Sequence, residues 1–231
     1  MALTGAGVSV PSGIPDFRSP GTGLWENVNP MEVAHIDAWR DDPQRFWGFY
    51  GERFNALQSR EPNGAHAALA ELEARGMLDA VITQNIDTLH RRAGSREVIE
   101  VHGTIEYSSC PACGERQPLD EVRSRIGSAS DGVPRCEQGD PFKPDVVLFG
   151  EMLPVAGLER ARELAADADL LLCVGSSLEV QPVASLPAVT VASGGSVAIV
   201  TQGPTPFDEV AAVRLGGDVV EELEALLAEL A

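Results

Sequence analysis

Leu170-Leu-Leu-Cys-Val174 is a continuous apolar run that ends on three small residues, Gly175-Ser-Ser177. A strand without polar alternation is expected where both faces of a sheet are covered, as in parallel α/β sheets. A second run of this kind, Val197-Ala-Ile-Val200, follows further along the chain. Together these segments predict a parallel sheet with helices on both faces.

Strand-like and helix-like segments alternate along the rest of the chain. Apolar and β-branched residues predict three further strands, at 80–83, 98–101 and 146–148. Apolar residues at helical spacing predict helices over 65–72 and 220–230, and an aromatic-rich helix is predicted over 43–60. The first strand is a stub of about three residues before a glycine turn. This alternation is typical of a Rossmann-like α/β domain.

One stretch, residues 104–144, lacks this periodicity and contains three of the four cysteines. We interpret it as a small inserted module of the zinc-ribbon type, with the α/β domain formed by residues 1–103 and 145–231. The pair Cys110-Pro-Ala-Cys113 has the spacing of zinc ligands, and Cys136 supplies a third thiol.

The fourth ligand of a C-x₂-C…C-x₂-C site is expected at residue 139, which is Gly139 and has no ligand atom. We expect Asp140 or a water molecule to take that place, since zinc accepts carboxylates. The alternative is that the metal is lost and packing holds the module. Cys173 lies in an apolar strand far along the chain and is interpreted as a core thiol.

Charge and hydropathy limit the possible partners. The chain of 231 residues carries 17 basic and 35 acidic side chains, a net charge of −18. Such a surface repels phosphate backbones and attracts lysine-rich peptides, so no direct nucleic-acid binding is expected. No apolar run reaches the ~18 residues of a membrane span, and no secretory signal is visible. We therefore expect a cytoplasmic protein without membrane contact.

Small and polar residues follow each predicted strand. These strand ends are Gly5-Ala-Gly7, Gln84-Asn-Ile-Asp87, His102-Gly103, Gly175-Ser-Ser177 and Thr201-Gln-Gly203. Ligands bind beyond the carboxyl ends of parallel strands, so the pattern predicts a polar cofactor cleft. The turn at Gly5 could hold a phosphate. Val10 stands where G-x-G-x-x-G needs its third glycine, which argues against an ordinary dehydrogenase.

Six motifs resemble those of the sirtuins, in the order of that family and over nearly the whole chain. They are Gly5-Ala-Gly-Val-Ser9, Gly13-Ile-Pro-Asp-Phe-Arg-Ser-Pro-Gly-Thr-Gly-Leu-Trp25, Thr83-Gln-Asn-Ile-Asp-Thr-Leu-His90, Val101-His-Gly103, Pro144-Asp-Val-Val-Leu-Phe-Gly-Glu151 and Val174-Gly-Ser-Ser-Leu178. The resemblance implies NAD-dependent removal of acyl groups, mainly acetyl, from protein lysine side chains. The implied products are nicotinamide and O-acyl-ADP-ribose.

The same resemblance implies roles for individual residues. His102 would be the base, a role that suits an imidazole titrating near neutral pH, while Asn85 and Asp87 would orient the nicotinamide end. NAD would also contact Gly5, Ala6, Gly7, Asp16, Phe17, Arg18, Gln84, Ile86, Gly175, Ser176, Ser177, Thr201, Gln202, Gly217 and Asp218. The acyl-lysine peptide would add as a strand beside Val147, Phe149, Gly150, Glu151 and Val180.

Other activities remain open at this point. Tyr50 and Arg53 lie one helical turn apart and resemble the pair by which some sirtuins bind succinyl or malonyl carboxylates. Equally, Tyr50 could pack with Phe46 and Phe54 while Arg53 stays in solvent, so deacetylation is expected as the main activity. Further alternatives are ADP-ribosyl transfer, NAD hydrolysis and a non-enzymatic sensor of NAD or ADP-ribose. A sensor would have no use for the base His102.

Overall fold

The computed structural model describes residues 1–16 and 29–230 of the chain. Its strands are β1 (Ala2–Thr4), β2 (Val81–Thr83), β3 (Val98–Glu100), β4 (Gly103–Ser109), β5 (Arg116–Pro118), β6 (Lys143–Val146), β7 (Leu170–Val174), β8 (Ser196–Val200) and β9 (Val213–Leu215). Its α-helices are α1 (Pro30–Val33), α2 (Ile36–Asp41), α3 (Pro43–Gln58), α4 (Gly64–Ala74), α5 (Leu89–Arg92), α6 (Leu119–Ser128), α7 (Val155–Asp167), α8 (Leu186–Ala192) and α9 (Val219–Glu229).

Six strands form a parallel sheet in the order β3-β2-β1-β7-β8-β9. Successive residues of the central strand β7 serve opposite faces of this sheet. Leu171 and Cys173 belong to the core under α7 and α8, whereas Leu172 and Val174 belong to the core under α4 and α9. Both faces are therefore buried, which explains the unbroken apolar run and confirms the predicted Rossmann-like architecture.

Helix α4 shows how the sequence sets an element boundary. The Asn63 side chain accepts hydrogen bonds from the Ala65 and His66 backbone N–H groups, and the His66 ring in turn accepts from the Asn63 N–H. This reciprocal cap fixes the start of the helix. Gly76, with φ of +72°, follows its last turn.

The inserted strands form a separate antiparallel sheet, β5-β4-β6. Its core includes Phe46, Trp47 and Phe54 of helix α3, and the indole N–H groups of Trp39 and Trp47 both donate to the Phe142 carbonyl at 2.9 Å. Helix α3 therefore packs with the inserted module, an arrangement that the division into 1–103 with 145–231 and 104–144 does not anticipate.

Two strand expectations need correction. The segment expected over 146–148 as part of the parallel sheet instead forms β6, which ends at Val146 and pairs antiparallel with β4. Strand β9 at the edge of the large sheet was not predicted, because its three residues are partly exposed and alternate with a charge. In the part of the chain that is described, no helix has the length and apolar character needed to cross a bilayer.

Candidate active site at the carboxyl edge of the parallel sheet

The ends of β1 and β7 approach each other through glycines. The Gly5 N–H donates to the Val174 carbonyl at 3.0 Å, and the Gly7 N–H donates to the Gly175 carbonyl at 2.8 Å. A Cβ on Gly7 would lie 2.8 Å from the Gly175 Cα, and Gly175 has a φ of +61°. Only glycine fits this close approach. The turn opens into a short 3₁₀ helix that begins at Ala6.

A buried cluster joins the first turn to the segment after β2. The Ser9 hydroxyl donates to Asp87 Oδ2 at 2.7 Å and accepts from Asn85 Nδ2 at 3.1 Å. The Asn85 amide also donates to the Gly5 carbonyl at 3.2 Å, and Asp87 Oδ1 accepts from the Leu89 N–H at 3.0 Å. The structure thus brings Asn85 and Asp87 together through Ser9. Sequence reasoning had not assigned Ser9 a role, although the Gly5–Ser9 motif contains it.

His66 extends this cluster into the core. Its Nδ1 accepts from the Asn63 N–H at 3.3 Å, so Nε2 carries the proton and lies 3.4 Å from the Ser9 hydroxyl oxygen. Burial lowers the pKa of His66 to about 4, opposed by the charge of Asp87. The His66 ring lies 4.8 Å from the His90 ring, measured between centroids. Both are buried, and His66 contacts a residue of the cluster.

His102 follows β3 at the same edge of the sheet. Its Nδ1 lies 2.9 Å from the Gln84 backbone carbonyl, which can only accept a hydrogen bond, so Nδ1 carries the proton and Nε2 offers a lone pair. Burial lowers the pKa of His102 below its ordinary value, partly offset by this hydrogen bond. The imidazole is therefore a neutral base near pH 7. Gly103, with φ of +77°, packs on the Asp145 carbonyl, where no side chain fits.

The Gln84 side chain links β2 to β7. Its Nε2 donates to the Ser176 hydroxyl at 2.9 Å, and that hydroxyl also accepts from the Leu178 N–H at 3.2 Å. Gln84 and Ser176 thus position each other at the carboxyl edge of the parallel sheet. The Ile86 carbonyl accepts from the Ile105 N–H at 3.1 Å, which holds the turn after β2 against β4.

The remaining residues expected to contact NAD lie in three different places: after β8, at the start of α9 and at the end of the first described segment. Thr201 and Gln202 follow β8 at the same edge. The Asp218 carboxylate caps α9 by accepting from the Val220 N–H at 2.8 Å, and the Gly217 N–H donates to Glu222 Oε1. Contact of Gly217 and Asp218 with adenine stays a prediction. Asp16 precedes a stretch outside the described residues, which includes Phe17 and Arg18.

The loop expected to bind peptide is held by its own contacts. The Phe149 N–H donates to the Ala34 carbonyl, and the Phe149 carbonyl accepts from the Ile36 N–H, both at 2.9 Å. Glu151 Oε2 accepts from the Leu148 N–H at 2.9 Å and pairs with Lys143 Nζ at 2.9 Å. The Glu151 carboxylate therefore folds the loop. Phe149 is left 45% exposed, and its contact with a peptide stays a prediction.

The remaining peptide-binding expectations concern backbone positions. The Val147 N–H donates to the His102 carbonyl at 2.8 Å, which places this strand end beside the candidate base. Gly150 has a φ of +84° and packs against the ring of His35. Val180 is half-buried in the loop after Leu178. That a peptide strand lies between the Val147 and Val180 edges stays a prediction.

The Tyr50 and Arg53 side chains do not form an open carboxylate clamp. The Tyr50 ring is buried and lies 5.2 Å from the Phe54 ring and 4.7 Å from the Phe46 ring, and burial raises its pKa to about 12. The Arg53 guanidinium donates to the Phe49 carbonyl at 2.6 Å and lies 3.5 Å over the Phe49 ring. Both side chains are engaged by their own helix.

Three thiols converge in the inserted module. The sulfur atoms of Cys110, Cys113 and Cys136 lie within 4.8 Å of one another, a donor set that suits zinc. The Asp140 carboxylate is not part of this close group, and whether Asp140 or a water molecule is the fourth ligand stays a prediction. The Asp140 backbone carbonyl accepts from the Cys136 N–H, which keeps Asp140 in the turn. Cys173 is buried in β7, as predicted.

The chain is similar to a family of known proteins over most of its length. The sequence profile of the Sir2 family matches residues 5–182. An NAD-dependent protein deacetylase from Sulfolobus acidocaldarius is 47% identical over 211 residues, which cover 91% of this chain and 82% of that protein. A protein of the same name from Thermotoga maritima is 43% identical over 230 residues, which cover 99% of this chain and 92% of that protein.

Solved structures of similar proteins share the fold. A structure described as Sir2 with a p53 peptide and NAD⁺ has a TM-score of 0.91 at 43% identity, covering 99% of this chain and 91% of that chain. A Sir2 variant with deacetylated p53 peptide and 3′-O-acetyl-ADP-ribose has a TM-score of 0.93 at 42% identity, covering 99% and 92%. Because profile and relatives span most of its length, the chain belongs to the Sir2 family.

Proposed function

We propose that this chain is an NAD-dependent protein-lysine deacetylase that releases nicotinamide and O-acetyl-ADP-ribose. One observation carries the proposal: the neutral His102 imidazole is fixed through Nδ1 by the carbonyl of Gln84, the residue that precedes Asn85 of the Ser9–Asn85–Asp87 cluster. A base and a polar cluster at the edge of a parallel sheet suit chemistry on a bound nucleotide. The names of the relatives and the bound molecules of the similar structures support the same activity.

When bound, NAD supplies an activated ribose carbon with nicotinamide as its leaving group. His102 Nε2 is free to take a proton from a ribose hydroxyl, because Nδ1 is already committed to Gln84. Asn85 and Asp87 hold the nicotinamide end, and Ser9 keeps both in place. The pyrophosphate would lie at the turn after β1, whose course is fixed by the close packing of Gly5 and Gly7 against Gly175. Gln84 fixes Ser176 beside the adenosine ribose.

The substrate class is a lysine-acylated peptide that lies as a strand between two loops. One loop carries the exposed Phe149 and the other carries the half-buried Val180, and backbone pairing of such a strand reads the sequence around the lysine only loosely. The net charge of −18 favours lysine-rich peptides and disfavours nucleic acid and anionic membrane surfaces. The cytoplasm is the proposed compartment, since all four cysteines are unpaired thiols.

The test is mass spectrometry of an acetyl-lysine peptide incubated with NAD and the enzyme. The expected products are free-lysine peptide and O-acetyl-ADP-ribose in equal amounts. Nicotinamide release with an unchanged peptide would indicate NAD hydrolysis instead. A peptide that gains an ADP-ribosyl mass would indicate transfer, and absence of any turnover would indicate a sensor. Omission of NAD and the His102→Ala variant are the matched controls.

A further inference from the structure

The two cysteine-containing loops of the inserted module have related backbone structures. In the first loop, the Cys110 N–H donates to the Glu115 carbonyl at 2.7 Å, and the Gly114 N–H donates to the Cys110 carbonyl at 2.9 Å. In the second loop, the Cys136 N–H donates to the Asp140 carbonyl at 2.9 Å. The Gly139 N–H donates to the Cys136 carbonyl at 3.0 Å.

Each loop thus closes by the same pair of hydrogen bonds, but the second loop closes one residue earlier. The residue that donates back to the cysteine is a glycine in both, with φ of +77° at Gly114 and +93° at Gly139. Gly139 therefore corresponds to Gly114 and not to Cys113. The position that corresponds to Cys113 is missing between Gln138 and Gly139. The count along the sequence, which placed the fourth ligand at Gly139, is corrected by this register.

No other side chain replaces the missing thiol. Among the residues that the structure describes, no further histidine, cysteine, aspartate or glutamate ligand atom joins the three sulfurs. Cys110 and Cys136 are buried, whereas Cys113 is exposed. The three-sulfur group is therefore accessible from the side of Cys113.

A polar network holds the two loops together without a fourth thiolate. The Glu115 carboxylate accepts from the Glu137 N–H at 2.9 Å and from Arg125 Nη1 at 2.9 Å. The same Arg125 nitrogen donates to the Arg135 carbonyl at 2.8 Å. These contacts cross from the first loop to the second, so the loops keep their geometry although one ligand is missing.

We propose that the module binds zinc through three thiolates and leaves the fourth coordination position to an exchangeable small donor from solution. The class of donor is water, an imidazole-type nitrogen or a small thiolate. Zinc with three protein ligands keeps an open position of this kind, whereas four-thiolate structural sites are closed. The proposal concerns the metal alone, so it stands or fails independently of the deacetylase activity.

The number of thiolate ligands can be measured after zinc is replaced by cobalt, from the sulfur-to-cobalt charge-transfer absorbance. The Co²⁺-loaded wild-type protein is expected to show sulfur-to-cobalt charge transfer that rises by about a third on insertion of a cysteine between Gln138 and Gly139, because four thiolates replace three. Insertion of serine at the same point and the Gly139→Cys substitution are the matched controls. Neither change should raise the charge-transfer absorbance. Serine brings no thiol, and Gly139 corresponds to Gly114, the residue after the ligand position of the first loop.

The open position itself is tested with imidazole. Titrating imidazole should shift the visible bands of the wild-type Co²⁺ protein and leave the cysteine-insertion variant unchanged. X-ray absorption of the zinc-loaded wild type should count three sulfurs and one lighter donor. The proposal would be overturned by a count of four sulfurs, or by a zinc stoichiometry near zero. It would also be overturned if imidazole left the visible bands of the wild-type Co²⁺ protein unchanged. A rise in charge transfer with Gly139→Cys would overturn the register on which it rests.

Discussion

The Nδ1 atom of His102 lies 2.9 Å from the backbone carbonyl oxygen of Gln84. This contact decides which nitrogen of the ring is free, because a carbonyl oxygen accepts and never donates. It also bonds His102 to the segment after β2 that contains Asn85 and Asp87. The position of the proposed base and the positions of the residues proposed to hold nicotinamide are thus set by one short segment after β2.

Removing the imidazole should abolish most of the activity and leave the fold intact. For His102→Ala we expect kcat for deacetylation to fall by ~10²–10⁴, the usual cost of losing a positioned base. Steady-state kinetics with an acetyl-lysine peptide would measure this, with circular dichroism to check the fold. Turnover near that of the wild type would show that the base has been misassigned.

The pH profile of kcat/KM should report the buried imidazole. Burial lowers the pKa of His102 below its ordinary 6.5, and the neutral ring is the active form. Activity should therefore be lost as pH falls, with the acidic midpoint below pH 6.5. A midpoint above 6.5 in kcat/KM for NAD, measured with a peptide that does not titrate there, would contradict the structure.

Removal of the Ser9 hydroxyl is expected to lower both the stability of the fold and kcat/KM for NAD. Ser9→Ala removes the donor to Asp87 and the acceptor of Asn85, and both partners are buried. We expect a loss of about 1–3 kcal/mol in the free energy of unfolding and about tenfold or more in kcat/KM for NAD.

Ser12→Ala, in the same short helix, is the control, because Ser12 only accepts one bond from the half-buried Asn63 amide. Its effect on NAD kinetics should be small. If the two variants behaved alike, Ser9 would be a helix residue with no special link to the site.

The buried histidines should make the fold sensitive to acid. Burial lowers the pKa of His66 to about 4 and that of His90 to about 3, against 6.5 in the unfolded chain. Their stabilising effect is complete above pH 6.5 and is lost as pH falls, because the unfolded state then binds more protons. Between pH 7 and pH 5 we expect a loss of about 2 kcal/mol for each ring.

Urea unfolding at several pH values would measure this slope, and NMR titration of the ring protons would follow each histidine separately. His90→Asn should flatten the slope by about one proton. Ring signals that titrate near pH 6.5 in the folded protein would contradict the assignment.

The Arg53→Met substitution distinguishes deacetylation from desuccinylation. Because the guanidinium is held by the Phe49 carbonyl and ring, we expect the ratio of kcat/KM for acetyl and succinyl peptides to change by less than about twofold. A carboxylate clamp would instead cost the succinyl peptide alone ~1.5–3 kcal/mol. Measuring both peptides with wild type and variant would detect such a selective loss.

Local patterns predicted the large sheet well. The run Leu170–Val174 and the cap at Asn63 are short-range signals, since they depend on burial of both faces and on neighbouring backbone groups. The aromatic helix 43–60 was also predicted, but its packing partner was not. Amphipathic spacing shows that a face is buried and does not say against which element. The core shared with the inserted sheet connects residues about a hundred positions apart, as in the Trp47–Phe142 bond.

Long-range pairing limits prediction of the site in the same way. Motifs pointed to Asn85, Asp87 and His102, yet the role of Ser9 depends on bonds to residues 76 and 78 positions away. The second cysteine loop shows a different limit. Counting residues aligned Gly139 with a ligand, whereas the backbone hydrogen bonds align it with the glycine that follows the ligand in the first loop.

The inserted module joins the large domain at two strands that lie side by side. His102 directly precedes β4 and Val147 directly follows β6, and the Val147 N–H donates to the His102 carbonyl at 2.8 Å. His102, which carries the proposed base, is thus also the residue through which the inserted module is bonded to the large domain. Substitutions deep in the module should therefore change kcat while they leave the affinity for NAD close to that of the wild type.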